Sequence, residues 1–424
     1  MLAVRQNFPD RSLKDIPGEV RSQLEASGFA AKLAPGSSVA IGVGSRGITN
    51  LAAIVRAAVD FWKSKGMQPF IFPAMGSHGA ATAAGQADVL AHYGITEAQM
   101  GCPVISQLEV VHLGKTPEGV DAYLDRMAYE SGGVMLVSRV KWHTNFEAPI
   151  ESGLFKMMAI GLGKFAGAQK YHTYAYRLGL AAVIRSVGRQ VLRSGKIIGG
   201  LAILEDAYHN TGKIEAVPVE KMEHREEELL ALVKSWMGKI PVAEVDVLIL
   251  DEIGKNVSGS GADTKVINRS IDCHYNPWDW LPRIHRIFIR GLSDNTYGNA
   301  VGIGFGDIVN SRMLEGIDWN ATNINSLTAS TVAPNRIPMN YPTDRECLER
   351  ISPTVGKFSN EEVTYAWIRN TMELGSLVCS ENLRAELERN PDIEIVGEPF
   401  DLPFDEAGNL ASPLARAGAH GAGH

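Results

Sequence analysis

The stretch K-W-H-T-N-F-E-A-P-I-E-S-G-L-F-K-M-M-A-I-G-L-G-K-F-A-G-A-Q-K-Y-H, from Lys141 to His172, decides how this chain is read. An apolar run over 134–140 precedes it and is long enough for one buried strand. An amphipathic helical pattern over 173–191 follows. Between them lie His143, His172, lysines and four glycines, with few ordinary surface charges. Glycines let backbone approach a ligand closely. Lys156 sits among Leu154, Phe155, Met157 and Met158. An ammonium in that setting either snorkels to water or does chemistry.

Working outward, residues 17–33 read as a helix after an N-terminal arm. Residues 39–43 form an apolar strand that runs into Gly44-Ser45-Arg46-Gly47, and a helix over 51–65 follows. A second strand, 69–73, ends in Gly76-Ser77-His78-Gly79 and leads into a helix to about 93. A helix over 120–129 then precedes the strand before Lys141. Strand, glycine loop and helix, repeated, is the pattern of an α/β sheet with mostly parallel strands. Beyond the central stretch come strands at 199–204, 245–250, 287–290, 301–305 and 393–396. Helices are expected over 220–237, 361–372 and 382–388. The expected fold is two α/β domains with mostly parallel sheets and the active site in the crevice between them. An N-terminal cofactor-binding and catalytic domain covers 1–238, and a C-terminal α/β domain over 239–424 closes the site. The small-residue tail, 411–424, reads as disordered.

Composition narrows the partners. A net charge of −7 disfavours nucleic acid and anionic membrane. The first ten residues lack the charged head and apolar core of a signal peptide. No apolar run approaches the ~20 residues of a membrane span. The four cysteines are far apart without a C-x-x-C, which disfavours structural zinc and implies no disulfide. A cytoplasmic protein is expected. A homo-oligomer is compatible with the sequence.

Three expected strand ends deliver polar residues to one edge, where ligands of open α/β sheets bind. The first brings Ser45 and Arg46, the second His78, the third Lys141 and His143. An arginine fork suits a carboxylate or phosphate. Two histidines can trade protons near neutral pH. Gly42-Val43-Gly44-Ser45-Arg46-Gly47 also fits G-x-G-x-x-G, but the acidic residue that should follow about 20 positions on is absent at Phe72-Pro73-Ala74. An NAD-dependent oxidoreductase is therefore the weaker alternative, beside a non-catalytic binder of an anionic metabolite.

The arrangement resembles the nickel-pincer lactate racemase family. Ser152-Gly153-Leu154-Phe155-Lys156 looks like that family's S-G-G-x-K, and His172 falls sixteen residues after Lys156. Gly76-Ser77-His78 is similar to its G-[ST]-H loop, Trp142-His143 to its P-H pair, and Ser45-Arg46-Gly47 to the end of its D-x-T-R-P turn. The chain departs from the pattern at Val43 and Gly47, in a longer interval from His143 to Lys156, and at Ala159-Ile160-Gly161 after the lysine. The similarity covers 38–190 best.

The resemblance implies an isomerase that inverts C2 of a 2-hydroxy carboxylic acid by reversible hydride transfer to a lysine-tethered cofactor. That cofactor is nickel pyridinium-3,5-bisthiocarboxylic acid mononucleotide, the nickel pincer nucleotide, supplied by cofactor-biosynthesis proteins. Lys156 would be the tether, with Ser45 and Gly153 at the cofactor, and His172 would ligate the metal. His78 and His143 would be the catalytic acid and base. Arg46, with Lys255 or Lys265 from the second domain, would hold the substrate carboxylate.

Overall fold

The computed structural model describes residues 1–44 and 47–414. The chain divides into two compact units. One is built from Asp10–Met237, the other from Met1–Pro9 and the described residues from Gly238 onward. The strands of the first half are β1 (Leu2–Gln6), β2 (Ser38–Val43), β3 (Gln68–Pro73), β4 (Val110–Lys115), β5 (Asp121–Asp125), β6 (Gly133–Arg139), β7 (Ile197–Glu205) and β8 (Thr211–Pro218). Those of the second are β9 (Glu244–Leu250), β10 (Arg283–Ile289), β11 (Ile308–Asn310), β12 (Met339–Tyr341), β13 (Tyr365–Ile368), β14 (Ser376–Cys379) and β15 (Ile393–Val396). Both units are α/β with mostly parallel sheets.

In the unit over 10–237 the sheet order is β3-β2-β6-β7-β8, parallel except for β8. The runs of β6 and β7 are almost unbrokenly apolar because helices cover both faces. Side chains alternate between those faces. Val39, Ile41, Val43, Met135 and Val137 pack with helices Ile16–Ser27 and Leu51–Ser64. Ala40, Val134 and Leu136 pack instead with Leu154, Phe155, Val183 and Val187. The carboxyl ends of β2, β3, β6 and β7 therefore share one edge, and the candidate residues of this unit leave from it.

Several expectations are corrected. The N-terminal arm is a strand, and β1 pairs antiparallel with β14 and β15 within the unit that includes Gly238 onward. The helix expected over 120–129 is mainly β5, paired antiparallel with β4. Ala122 and Leu124 point inward with a period of two, and Gly114 and Gly119, both at positive φ, accommodate the turn region. The single helix over 173–191 is two, Lys164–Leu178 and Leu180–Arg193, parted by Gly179 at φ 80. The strand β8 was missed.

The second unit carries an eight-stranded sheet, ordered β12-β11-β10-β9-β13-β14-β1-β15. The helix expected over 361–372 is β13, buried beside β9 and β14, so sheet pairing overrides its helical pattern. The strand expected over 301–305 is a 3-10 turn, Ile303–Phe305, entered through Gly302 at φ 101.

Candidate active site

Lys156 closes a short helix, Leu154–Lys156, that runs directly into a π-helical turn, Met157–Gly161. The turn is closed by Leu162 N–H donating to Met157 O at 2.9 Å. Such wide turns are uncommon and concentrate at functional sites. Its last glycine has a packing reason. A Cβ on Gly161 would stand 2.8 Å from Ala74 O, in the loop after β3. A Cβ on Gly76, in the same loop, would meet Ile160 and Ala168 at 3.0 Å. The Lys156 turn and the His78 loop are thus pressed together.

His172 lies on helix Lys164–Leu178. Sixteen residues of straight helix would separate it from Lys156 by about 24 Å. The chain instead breaks at Lys164, a non-glycine residue at φ 53. Burial first, and the Lys156 ammonium second, push the His172 imidazole below its ordinary range. The two side chains therefore lie within electrostatic reach, and the imidazole is held neutral, the form that binds metals.

The start of the Lys156 turn is clamped by Glu226, a fully buried residue on helix Met222–Trp236. Its Oε2 accepts Phe155 N–H at 3.0 Å. Burial raises this carboxyl to about 8, outweighing the amides of Phe155 and Leu154. Gly153, expected at the cofactor, leaves the room that the Glu226 carboxyl fills.

His143 stacks on Phe146, with centroids 4.5 Å apart and planes at 24°. Its Nδ1 accepts Asn145 N–H at 3.0 Å. A backbone amide is always a donor, so the neutral ring carries its proton on Nε2. The loop is held at its neck. Glu151, fully buried, accepts the N–H of His143 and that of Ala148, and pairs with Lys234 at 2.6 Å. Lys141 and Ser152 exchange backbone hydrogen bonds across the same neck.

His78 is exposed, at the start of a tight turn through Ala80 and Ala81, both at positive φ. Gln86, fully buried, donates to the carbonyls of Met75 at 3.2 Å and Gly76 at 3.0 Å, with His78 O at 3.4 Å. Ser45 and Arg46 lie outside the described residues. In the other unit, Lys255 Nζ donates to Gly259 O at 2.7 Å within its own loop. Lys265 is fully buried, its ammonium 3.5 Å from the centre of the Trp278 ring. Oxygen and nitrogen donors also converge there at Glu244, Asp246 and His285, but each is engaged within the sheet. His285 meets Glu244 at 2.6 Å, and Asp246 accepts from Thr364.

Sequence reasoning missed Glu151, Gln86, Lys164, Glu226 and Lys234. Each has a partner that is distant in sequence. A glutamate or lysine on the inward side of an otherwise apolar helix face, as in 222–236, is the one signal that could have found them.

Neither a family model nor a curated protein matches this sequence. Two solved structures are similar in fold. One is a protein from Thermotoga maritima, 12% identical over 78% of this chain and 84% of its own, with a TM-score of 0.51. The other is the lactate racemase apoprotein from Thermoanaerobacterium thermosaccharolyticum, 12% identical over 84% of this chain and 96% of its own, with a TM-score of 0.50. The chain has a lactate racemase-like fold.

Proposed function

We propose that the protein is a racemase or epimerase that inverts C2 of a 2-hydroxy carboxylic acid. Lys156 would tether a nickel pincer nucleotide and His172 would ligate its metal. The observation that carries this reading is the break at Lys164, which turns the His172 helix back so that the Lys156 ammonium, after burial, depresses the His172 imidazole. The fold similarity to the lactate racemase apoprotein supports it.

The residues fit the group. Lys156 is only partly buried, on the short helix that precedes the π turn. His172 is held neutral, and imidazole is a good ligand for nickel. When bound, the group supplies a hydride acceptor for the substrate carbon. The protein supplies proton transfer and orientation. Inversion needs proton donors and acceptors on both faces of the substrate, and His78 and His143 are assigned to these. His143 presents Nε2–H in its neutral tautomer, so it can hydrogen-bond to the substrate oxygen; it gives up that proton only as the imidazolium, with Nδ1 released from Asn145 N–H. His78 is then the residue that takes the hydroxyl proton. Arg46 would hold the carboxylate. Each acid/base histidine contributes on the order of 10²–10⁴-fold in rate.

Enantiopure 2-hydroxy acids, incubated with protein made alongside cofactor-making enzymes, are followed by chiral chromatography. Interconversion of at least one acid, abolished in His78→Ala/His143→Ala, is expected. Loaded protein that inverts none of lactate, longer aliphatic acids, malate or sugar acids would refute the assignment.

A further inference from the structure

Lys164 takes no part in the chemistry above, yet it stands at the corner between the Lys156 turn and the His172 helix. It is fully buried and adopts φ 53, a conformation that side chains other than glycine, asparagine and aspartate rarely take. Its Nζ donates to Pro73 O at 2.8 Å and to Gln86 Oε1 at 2.7 Å, with Asp125 Oδ2 at 3.7 Å. Gln86 passes the link on, since its Nε2 faces the carbonyls of Met75, Gly76 and His78. One chain of hydrogen bonds thus runs from the first residue of the helix that carries His172 to the loop that carries His78.

Stability does not account for a lysine here. Burial lowers its pKa to about 8 and raises that of Asp125, so desolvation outweighs the attraction between the two. Apolar residues in place of both Lys164 and Asp125 would fill the space without that cost. What lysine adds is direction. An ammonium only donates, whereas an amide can face either way. With Oε1 held by an obligate donor, the NH₂ of Gln86 must face the loop carbonyls.

We propose that Lys164 is a positioning residue for His78: it sets the amide of Gln86, and Gln86 holds the Met75–His78 backbone against the helix that bears His172. The functional part of this inference rests on the acid/base reading of His78.

Two variants test it, Lys164→Met and Gln86→Glu. The second keeps a partner for Lys164 and removes only the donors to the loop, so it serves if the first does not accumulate as folded protein. Amide hydrogen exchange on the cofactor-free protein should rise about tenfold over 74–81, with helix Leu51–Ser64 unchanged. In loaded protein kcat should fall roughly 10- to 100-fold, as for a displaced catalytic group. KM should stay within about threefold, because the loss is in the transition state. The adduct on Lys156 should persist. Wild-type protection over 74–81 in a folded variant would overturn the proposal, and so would an unchanged kcat with a loosened loop. If the wild-type protein inverts no 2-hydroxy acid, the functional reading falls, and the exchange comparison still decides whether Lys164 holds the loop.

Discussion

The carboxyl of Glu226 occupies the space that a side chain on Gly153 would need, its Cδ 2.7 Å from where a Cβ would stand. Gly153 is at φ 167, extended backbone open to any residue, so the glycine is required by the neighbour and not by the turn. Gly153→Ala should therefore displace Glu226 and cost about 1–3 kcal/mol, the usual range for overpacking. Urea denaturation reads this directly. Gly153→Ala combined with Glu226→Ala should recover most of the loss from overpacking.

Glu226 also makes stability depend on pH. Its carboxyl is raised to about 8 in the folded protein, against an ordinary value of 4.5. Between those values the folded state keeps a proton that the unfolded state has released. The contribution is thus fully present below the unfolded pKa and is lost as pH rises through the folded one. The melting temperature should fall as pH goes from about 5 to 8, and Glu226→Gln should flatten that slope. An identical slope in the variant would assign the dependence elsewhere.

Lys234 acts on the other segment that carries a candidate catalytic group. Its partner Glu151 holds the His143 loop through two backbone N–H groups. Lys234→Met should destabilise by no more than the ~3 kcal/mol of breaking a buried pair, because Glu151 keeps its amide donors. Lys234→Arg should restore most of it. Hydrogen exchange in the loop from 141 to 152 should rise in the methionine variant alone.

The roles proposed for Lys156 and His172 predict a division of labour. His172→Ala should keep the adduct on Lys156 and lose the nickel, read as metal content per protein. Lys156→Ala should lose both. Equal nickel in wild type and His172→Ala would remove His172 from the coordination sphere.

The α/β class and the strand ends were legible because β2, β3 and β6 are apolar runs, the first two closed by glycine loops, a pattern set by burial on both faces. The spacing from Lys156 to His172 was legible as a motif, yet not as geometry. Bringing the two together depends on the π turn and on Lys164 at φ 53, and neither leaves a mark in residue type. Strand β5 reads as helix because Val120, Leu124 and Ala128 are spaced by four, while Val120, Ala122 and Leu124 also fit a period of two over so short a run. Strand β13 reads as helix because one of its two sheet neighbours, β9, lies more than a hundred residues earlier in the chain. Glu226 and Glu151 escaped notice for the same reason, since their partners are set by tertiary packing.

The measurement that bears most directly on the assignment is the intact mass of the protein produced with the cofactor-making enzymes. A covalent adduct of pincer-nucleotide mass, carried by Lys156 and absent from Lys156→Ala, is the expected result. Unmodified protein from a preparation that loads an authentic lactate racemase would contradict it.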